Sequence, residues 1–323
     1  MPTLTYRDAL NQALREEMQR DPSVFLMGEE VGVYQGAYKV SRGLLEEFGP
    51  QRVVDTPIAE LGFAGIGVGA AMAGLRPVIE FMTWNFALLA LDQIVNAAAK
   101  MLYMSGGQLR MPIVFRGPNG DALQLSSQHS QAWESWLAHI PGLKVVAPAT
   151  PADAKGLLVS AIRDPNPVCY LEHKGLYRHI KGEVPTGGHT VPLGEAAVAR
   201  EGSEMTVIAY GSSVHLALQA ADELGEEIEV LDLRTLCPLD REAILASARR
   251  TGKVLVAHEA TRSCGVGAEV AALITEEAFE DLDAPVRRLT APDVPIPFSP
   301  PLEERVLPQL DDMKEACREL LAY

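Results

Sequence analysis

Several features that would identify a class of protein at once are missing from this sequence. The four cysteines, Cys169, Cys237, Cys264 and Cys317, are spaced neither like zinc ligands nor like a compact disulfide framework. No run of about 18 apolar residues occurs, so no membrane-spanning helix is expected. The first residues show no basic stretch followed by an apolar one, so no signal peptide is predicted. Together these absences predict a soluble intracellular protein with reduced thiols.

Positive charge is scarce. Lys and Arg number 28 against 43 Asp and Glu, which gives a formal net charge of −15. Such a balance argues against nucleic acid or an anionic membrane as the main partner. Apolar residues are plentiful, at 47% of 323 residues. A chain of this length usually buries two cores, so we expect two domains.

Nucleotide-binding motifs are absent or displaced. There is no Gly-x-x-x-x-Gly-Lys-Ser/Thr loop, which argues against a nucleoside triphosphatase. Gly65, Gly67 and Gly69 match the dinucleotide fingerprint, but they do not directly follow a strand, which weakens the case for an NAD oxidoreductase. The spacing of Gly65, Gly69 and Ala73 instead predicts a bare helix face, which we interpret as a packing surface between subunits.

The first part of the chain alternates between buried strands and amphipathic helices. Thr5 and Asp8 predict the start of the first helix, and Thr150 and Pro151 predict the start of a later one. Strands are predicted at Val24–Met27, Val53–Val54, Val78–Phe81, Ile113–Phe115, Val145–Val146 and Val168–Leu171. Further helices are predicted at Gly62–Ala73, Phe86–Met104 and Pro151–Ile162. This alternation indicates an α/β fold with a parallel sheet covered on both faces.

A second block of the same kind follows a stretch rich in Gly and Pro, Tyr177–Gly194, which we interpret as a linker. Strands are predicted at Met205–Tyr210, Ile228–Leu233, Lys253–His258 and Val286–Leu289. Helices are predicted at Val214–Leu224, Arg241–Arg250, Val266–Phe279 and Leu302–Leu321. We therefore expect two doubly wound parallel-sheet domains, spanning residues 1–190 and 191–323.

Candidate functional side chains follow the predicted strands, because open parallel sheets bind ligands beyond the carboxyl ends of their strands. Glu29, Glu60, Met82 and Phe86 would share one crevice in this arrangement. His129, in a polar loop after the fourth strand, is the best candidate for proton transfer. Helix capping and loop solvation are the alternative explanation for these polar residues.

Longer stretches of the sequence resemble one family throughout both predicted domains. They include Asp55–Gly65, Glu80–Phe86, Asp92–Asn96, Met104–Gly107, Phe115–Gly120, Gln128–Gln131, Pro141–Val146, Asp153–Leu158 and Leu231–Leu236. These stretches resemble the beta subunit of the decarboxylating component of 2-oxo acid dehydrogenase complexes. Within that family, Phe81–Phe86 and Phe115–Gly120 are more similar to the pyruvate enzymes than to the branched-chain ones.

The resemblance implies thiamine diphosphate chemistry in an α2β2 heterotetramer that acylates the lipoyl group of an acyltransferase component. It implies two α/β domains, one that binds the pyrimidine ring and one of the transketolase C-terminal type. In this family the alpha chain holds Mg²⁺ and the diphosphate through Gly-Asp-Gly and a later Asn-Asn. This sequence lacks that motif, since Gly120-Asp121-Ala122 does not match it.

Residue roles follow from the same resemblance. Glu60 matches the glutamate that hydrogen-bonds a pyrimidine nitrogen and favours the imino form of the cofactor. Phe86 matches the aromatic residue that packs on the pyrimidine, while Ile58 and Met82 match contacts to the ring edge. Glu29 matches a second carboxylate near the cofactor, expected to order the site and to couple its protonation with that of Glu60.

His129 matches the histidine near the channel entrance, as a proton donor or a guide for the lipoyl group. The resemblance also implies a structural potassium site, whose ligand positions correspond to Ile113, Ala161, Ile162, Asp164 and Asn166. Backbone carbonyls at a helix end supply oxygen ligands of the kind that such an ion prefers. An ordinary capped helix end is the alternative explanation.

Some features leave alternatives open. Residues 121–127 are bulkier than the small-residue loop usual before Gln-His-Ser, which affects the expected size of substrate. Branched-chain 2-oxo acid and acetoin dehydrogenases are the alternatives within the class. A scaffold subunit that only docks the acyltransferase core is the alternative outside it. The expected location is the cytoplasm, or an organelle matrix after removal of a targeting segment.

Overall fold

The computed structural model describes residues 1–121 and 124–323, and these divide into two compact units. The first unit comprises residues 1–119 and 136–193, and the second comprises residues 120–135 and 194–323. The segment 120–135 thus belongs with the later part of the chain. The single boundary that the sequence predicts between residues 190 and 191 stays a prediction.

Fifteen elements of regular α-helix or strand occur in the described residues up to Leu193. The strands are β1 (Thr3–Thr5), β2 (Val24–Gly28), β3 (Val53–Asp55), β4 (Arg76–Glu80), β5 (Val114–Asn119), β6 (Lys144–Val146), β7 (Val168–His173) and β8 (Lys181–Glu183). The helices are α1 (Tyr6–Arg20), α2 (Leu44–Phe48), α3 (Glu60–Met72), α4 (Met101–Met104), α5 (Glu134–Ala138), α6 (Pro151–Arg163) and α7 (Leu176–His179).

Six strands of the first unit lie side by side in the order β6-β7-β5-β4-β2-β3, and every pairing is parallel. Helices cover both faces because successive residues of a strand point to opposite sides. In β4, Val78 joins the core that α1 and α6 form on one face. On the other face, a Cβ at Gly67 of α3 would lie 2.6 Å from Ile79 Cδ1, so only glycine lets α3 come this close.

The second unit has its own sheet and helices. Its strands are β9 (Ala197–Arg200), β10 (Met205–Ala209), β11 (Ile228–Asp232), β12 (Thr235–Cys237), β13 (Val254–Thr261) and β14 (Arg287–Ala291). Its helices are α8 (Ser212–Leu224), α9 (Arg241–Thr251), α10 (Val266–Glu277), α11 (Pro300–Val306) and α12 (Leu310–Leu321). The sheet order is β14-β13-β10-β11-β9, parallel except for the antiparallel edge strand β9. The predicted α/β class with two largely parallel sheets is confirmed.

The predicted caps are also confirmed. Thr5 Oγ1 accepts a hydrogen bond from the Asp8 N–H at 3.1 Å and begins α1. Thr150 Oγ1 accepts one from Asp153 at the same distance and begins α6, with Pro151 in its first turn. In both cases the side chain of the cap satisfies an N–H that has no partner within the helix.

The single helix predicted over Phe86–Met104 is wrong in its hydrogen bonding. The structure has a 3-10 helix at Phe86–Ala90, a π-helix at Asp92–Ala98 and then α4. The backbone stays right-handed, but the Ala99 N–H bonds to the Ile94 carbonyl, five residues back. Apolar periodicity cannot distinguish these helix types, because all of them place a similar stripe against the core.

The helix predicted over Leu302–Leu321 is also wrong, since α11 ends at Val306 and α12 begins at Leu310. Pro308 has no N–H to donate and holds the preceding residue in an extended conformation, with ψ of 140° at Leu307. Gln309 and Asp312 then cap α12 reciprocally.

The predicted linker Tyr177–Gly194 contains regular structure at its start. Most of α7 and the whole of β8 lie within it, and β8 pairs antiparallel with β1. Both strands are only three residues long and pair with a segment far away in the sequence, so neither has a local signal. Among the described residues, no helix is long and apolar enough to span a bilayer.

Candidate active site

The carboxyl ends of three parallel strands define the candidate site in the first unit. Gly28 at the end of β2 pairs in register with Asp55 at the end of β3 and with Glu80 at the end of β4. The chain leaves all three strands at the same edge of the sheet. Glu29 follows β2 directly, and Glu60 begins α3 after the short loop that follows β3.

Glu29 and Glu60 meet at this edge as a buried carboxyl pair. Their exposed fractions are only 2% and 3%, and their carboxyl groups share a hydrogen bond. Burial, and next the charge of Glu60, raise the pKa of Glu29 to about 7. No N–H or hydroxyl among the described residues donates to Glu29 Oε1. This buried oxygen is therefore left for a proton or for a ligand that enters the site.

Local structure holds the pair in place from both sides. Glu60 lies in the first turn of α3, where the helix dipole favours its negative charge. The N–H of Met82, after β4, donates to Glu29 Oε2 at 3.4 Å. The carboxylate of Asp55 accepts hydrogen bonds from the N–H groups of Gly32 and Val33, at 2.5 and 2.9 Å. These last bonds fix the loop that carries Glu29.

Ile58 and Phe86 lie in the loops that carry the pair and its donor. Ile58 is 80% exposed and precedes Glu60 by two residues. Phe86 is half-buried at the start of the 3-10 helix, four residues after Met82. The structure therefore brings Glu29 into contact with both Glu60 and the Met82 N–H. It places Ile58 and Phe86 on the adjoining loops.

His129 belongs to the second unit, in a turn where its N–H bonds to the Ser126 carbonyl at 3.1 Å. Its side chain is half-buried. The bulky loop noted in the sequence includes Ala122 and Leu123, which lie outside the described residues.

A buried charge cluster beside the candidate site was not predicted. The Arg116 guanidinium of β5 is fully buried and bonds to the carboxylates of Glu80 and Glu172, and Tyr177 donates to Glu172 at 2.7 Å. Burial raises the pKa of Glu80 although Arg116 opposes this. The sequence did contain a signal, because Glu80 lies inside one predicted apolar strand and Arg116 and Glu172 directly follow two others.

The residues assigned to potassium surround the end of α6. The Ile113 carbonyl accepts from the Val168 N–H at 2.9 Å, and the Ala161 carbonyl accepts from the Asp164 N–H at 3.3 Å. The Arg76 guanidinium donates to the carbonyls of Ile162 and Asp164 at 2.7 and 3.2 Å. The Asp164 carboxylate accepts from the N–H and the amide of Asn166. The structure thus brings these oxygens to one region, where Arg76 already supplies a positive charge.

The outer face of α3 is apolar and has open space at two of its glycines. A Cβ at Gly69 would meet nothing within 4 Å, and one at Gly62 would meet only Ala59. Gly65, by contrast, lies against Gln93 of the same chain. The glycine motif falls entirely within α3, where a dinucleotide fingerprint does not belong. Large exposed apolar residues on or near α3 are Ile58, Leu61, Ile66, Met72 and Leu89.

Both parts of the chain match known domain families. Residues 2–180 match the family described as "Transketolase, pyrimidine binding domain", and residues 194–313 match "Transketolase, C-terminal domain". A solved split-gene transketolase, described as an inactive beta4 tetramer, matches with a TM-score of 0.80 and 24% identity, covering 99% of this chain and 98% of the other. At that identity the likeness shows the fold alone. The fold is that of the transketolase type.

Curated relatives are much more similar in sequence. The pyruvate dehydrogenase E1 component subunit beta-2 of Oryza sativa subsp. japonica, a mitochondrial protein, is 53% identical over 98% of this chain and 85% of its own. The pyruvate dehydrogenase E1 component subunit beta of Rickettsia felis is 51% identical over 99% of both chains. The chain belongs to the family of pyruvate dehydrogenase E1 beta subunits.

Proposed function

We propose that this chain forms the pyrimidine-binding half of a pyruvate dehydrogenase active site and works with an alpha subunit. The reaction is the oxidative decarboxylation of pyruvate and the transfer of the acetyl group to a lipoyl group. The observation that carries the proposal is the buried pair Glu29–Glu60 at the carboxyl edge of a sheet in the pyrimidine-binding family. Two carboxyl groups that share one proton can either donate a hydrogen bond to a ring nitrogen or accept one from it.

The residues present fit thiamine diphosphate. Glu60 would bind the aminopyrimidine ring through its carboxylate, and Ile58, Met82 and Phe86 would supply apolar surface around it. When bound, this cofactor supplies the carbon nucleophile and accepts the electron pair released by decarboxylation.

Each side chain has a separate task in this proposal. Glu60 accepts a hydrogen bond from the ring, and Glu29 stores the proton that would otherwise be lost to solvent. The Met82 N–H keeps Glu29 oriented toward Glu60. Phe86 excludes water, which strengthens the hydrogen bond of Glu60 by lowering the local dielectric. We further propose that His129 serves transfer to the lipoyl group, as a proton donor or a guide.

The partner is proposed to be an alpha subunit in an α2β2 heterotetramer, because its relatives are named as beta subunits of one component. The apolar outer face of α3 supports this proposal, since the exposed Ile66 and the open space at Gly62 and Gly69 on either side of it can pack against a second helix. This chain lacks the Gly-Asp-Gly motif, so the alpha subunit is proposed to hold Mg²⁺ and the diphosphate. An acyltransferase component is the proposed acceptor.

Reconstitution tests the proposal. The chain alone is expected neither to bind thiamine diphosphate tightly nor to decarboxylate pyruvate, whereas addition of the alpha subunit restores both. Turnover on pyruvate, 3-methyl-2-oxobutanoate and acetoin then identifies the substrate, with pyruvate expected to be fastest. The Gly69→Leu variant should keep its fold but fail to assemble, which size-exclusion chromatography will show. Full activity of the chain alone would reject the shared site.

We propose a potassium site at the end of α6. Its ligands would be the oxygen atoms near Arg76 that can still accept another bond. The carbonyls of Ile113, Ala161, Ile162 and Asp164 each keep a second lone pair, and the Asn166 carbonyl is the fifth candidate. The positive charge of Arg76 opposes a cation, so binding is expected to be weak. Thermal unfolding in KCl against NaCl at equal ionic strength tests this, and identical midpoints would reject it.

The location proposed for this chain is the cytoplasm or an organelle matrix. The support is that its plant relative is named as mitochondrial. Fractionation of the source cells would test this directly.

A further inference from the structure

The carboxyl edge of the second sheet is occupied by a segment of the same chain. Open parallel sheets commonly bind ligands at this edge. Here Tyr210 and Ser212 follow β10, and Glu259 lies near the end of β13. All three bond to one another or to residues 120–135, the segment that carries His129. The edge that would otherwise take a ligand holds a loop instead.

The first end of this segment is bound by Glu259. Its Oε1 accepts the N–H of Asp121 at 3.0 Å, and its Oε2 accepts the hydroxyl of Ser212 at 3.1 Å. Asp121 is buried and also shares a hydrogen bond with Glu303 of α11. Burial, and next the charge of Asp121, raise the pKa of Glu303 to about 7. One end of the segment is thus connected to β13, α8 and α11.

The other end is bound by Tyr210. Its hydroxyl donates to Glu134 Oε1 at 3.0 Å, and both side chains are buried. The Tyr210 ring stacks on His258, with ring centroids 5.7 Å apart. Burial, and next Glu134, raise the pKa of Tyr210 well above its ordinary value, so the hydroxyl stays a donor. Burial lowers the pKa of His258 to about 4, so no charge develops beneath the ring at neutral pH.

His129 lies between these two anchored ends. The Gly120 N–H bonds to the Gln131 carbonyl at 3.2 Å, which draws the ends of the segment together. The turn at His129 is closed by its own N–H and the Ser126 carbonyl. The turn therefore has a fixed base on the second sheet, and loss of either anchor would broaden the positions that His129 samples.

We propose that Tyr210 and Glu259 are positioning residues for His129. They contact the ends of its segment rather than the reacting atoms. The proposal rests on the proposed function, in which His129 serves transfer to the lipoyl group. It adds a task for the second unit: the carboxyl edge of its sheet orients a residue for the transfer step.

The test uses Tyr210→Phe and Glu259→Met in the assembled enzyme. One assay measures acetyl transfer to a lipoyl domain, and the other measures pyruvate decarboxylation with a soluble oxidant as acceptor. Loss of one buried hydrogen bond predicts that kcat for transfer falls about 5- to 10-fold. Decarboxylation with the oxidant should change less than about 2-fold, because Glu60 and Glu29 are untouched. Glu259→Met removes both acceptor oxygens at a similar side-chain length and serves as the second variant if Tyr210→Phe folds poorly.

The matched control is Thr206→Val on β10, the strand that precedes Tyr210. Its hydroxyl donates to Glu229 Oε1 at 3.0 Å, a buried hydrogen bond near the other end of the strand. This variant should leave transfer unchanged. In a His129→Ala background, Tyr210→Phe should have no further effect on transfer, because coupled residues are not additive. Equal losses in both assays, or full additivity with His129→Ala, would overturn the proposal.

Hydrogen exchange separates this proposal from the proposed function. In the assembled complex, peptides covering residues 124–135 should exchange faster in Tyr210→Phe than in the wild type, and Thr206→Val should not differ. This readout is independent of catalysis. Faster exchange with unchanged transfer would reject the role in positioning His129, while unchanged exchange would reject the anchor itself.

Discussion

The two sheets end in the same kind of edge but use it differently. In the first unit, the edge carries a carboxyl pair and is bordered by exposed apolar residues such as Ile58. In the second unit, Glu259 and Tyr210 at the corresponding edge bind Asp121 and Glu134 of the same chain. One architecture therefore gives an edge whose carboxyl pair is proposed to serve catalysis and an edge whose side chains bind a segment of the same chain.

The largest expected effect is the loss of the reactive carboxylate. Glu60→Gln should assemble normally with the alpha subunit but lower turnover by about 10²- to 10⁴-fold, the usual contribution of a positioned acid or base. Steady-state decarboxylation measures this. Glu46→Gln, on the exposed face of α2, is the matched control and should behave like the wild type. If turnover of Glu60→Gln stays within 2-fold of the wild type, the edge of the first sheet does not have the catalytic role that distinguishes it from the second.

The next effect concerns the buried charges behind the edge of the first sheet. Arg116→Met leaves Glu80 and Glu172 buried without their cation, which should cost about 3–5 kcal/mol of unfolding free energy. Arg241→Met in the second unit breaks an exposed pair with Glu277 and should cost less than about 1 kcal/mol. Urea unfolding measures the loss of unfolding free energy in each variant. Similar losses in the two variants would contradict the expectation that the buried ion pairs cost more to break than the exposed pair.

The smallest expected effect is on the pH dependence of stability, to which the carboxyl groups of Glu29 and Glu303 both contribute. Glu29 and Glu303 each have a pKa of about 7, raised from 4.5, so the folded chain keeps protons that the unfolded chain loses. Their contribution to stability is complete below pH 4.5 and disappears as the pH rises through 7. Between pH 5 and 8, the Glu29→Gln variant should therefore lose about 1–3 kcal/mol less unfolding free energy than the wild type.

Glu303→Gln should show the same sign with a smaller size, since Glu303 is more exposed than Glu29. Urea unfolding at four pH values between 5 and 8 provides the measurement. A variant at Glu29 that parallels the wild type at every pH would show that no proton is held by the pair.

Much of the fold could be predicted because its signals are local. The caps Thr5 and Thr150 and the buried strands are visible in short windows of sequence. The pairing of β1 with β8 was missed because three-residue strands gain their stability only from distant partners. The change of helix type after Phe86 was missed because it alters hydrogen bonding without altering the apolar stripe.

The candidate site could be predicted to a similar extent. The topology of a parallel sheet places Glu29 and Glu60 at one edge, and the resemblance assigns their roles. That they share a hydrogen bond depends on side-chain burial, which the sequence does not contain. The anchoring of His129 was missed for the same reason, since Asp121 and Glu259 are 138 residues apart.

The division of the chain at residues 119, 135 and 193 has a practical consequence for expression of fragments. No single cut of the chain separates the two units, because residues 120–135 of the second unit lie in the sequence between two parts of the first. A fragment ending near Leu193 would expose Asp121 and Glu134 without their acceptor and donor. The complementary fragment would present an empty sheet edge to solvent. The halves should therefore be produced as one continuous polypeptide.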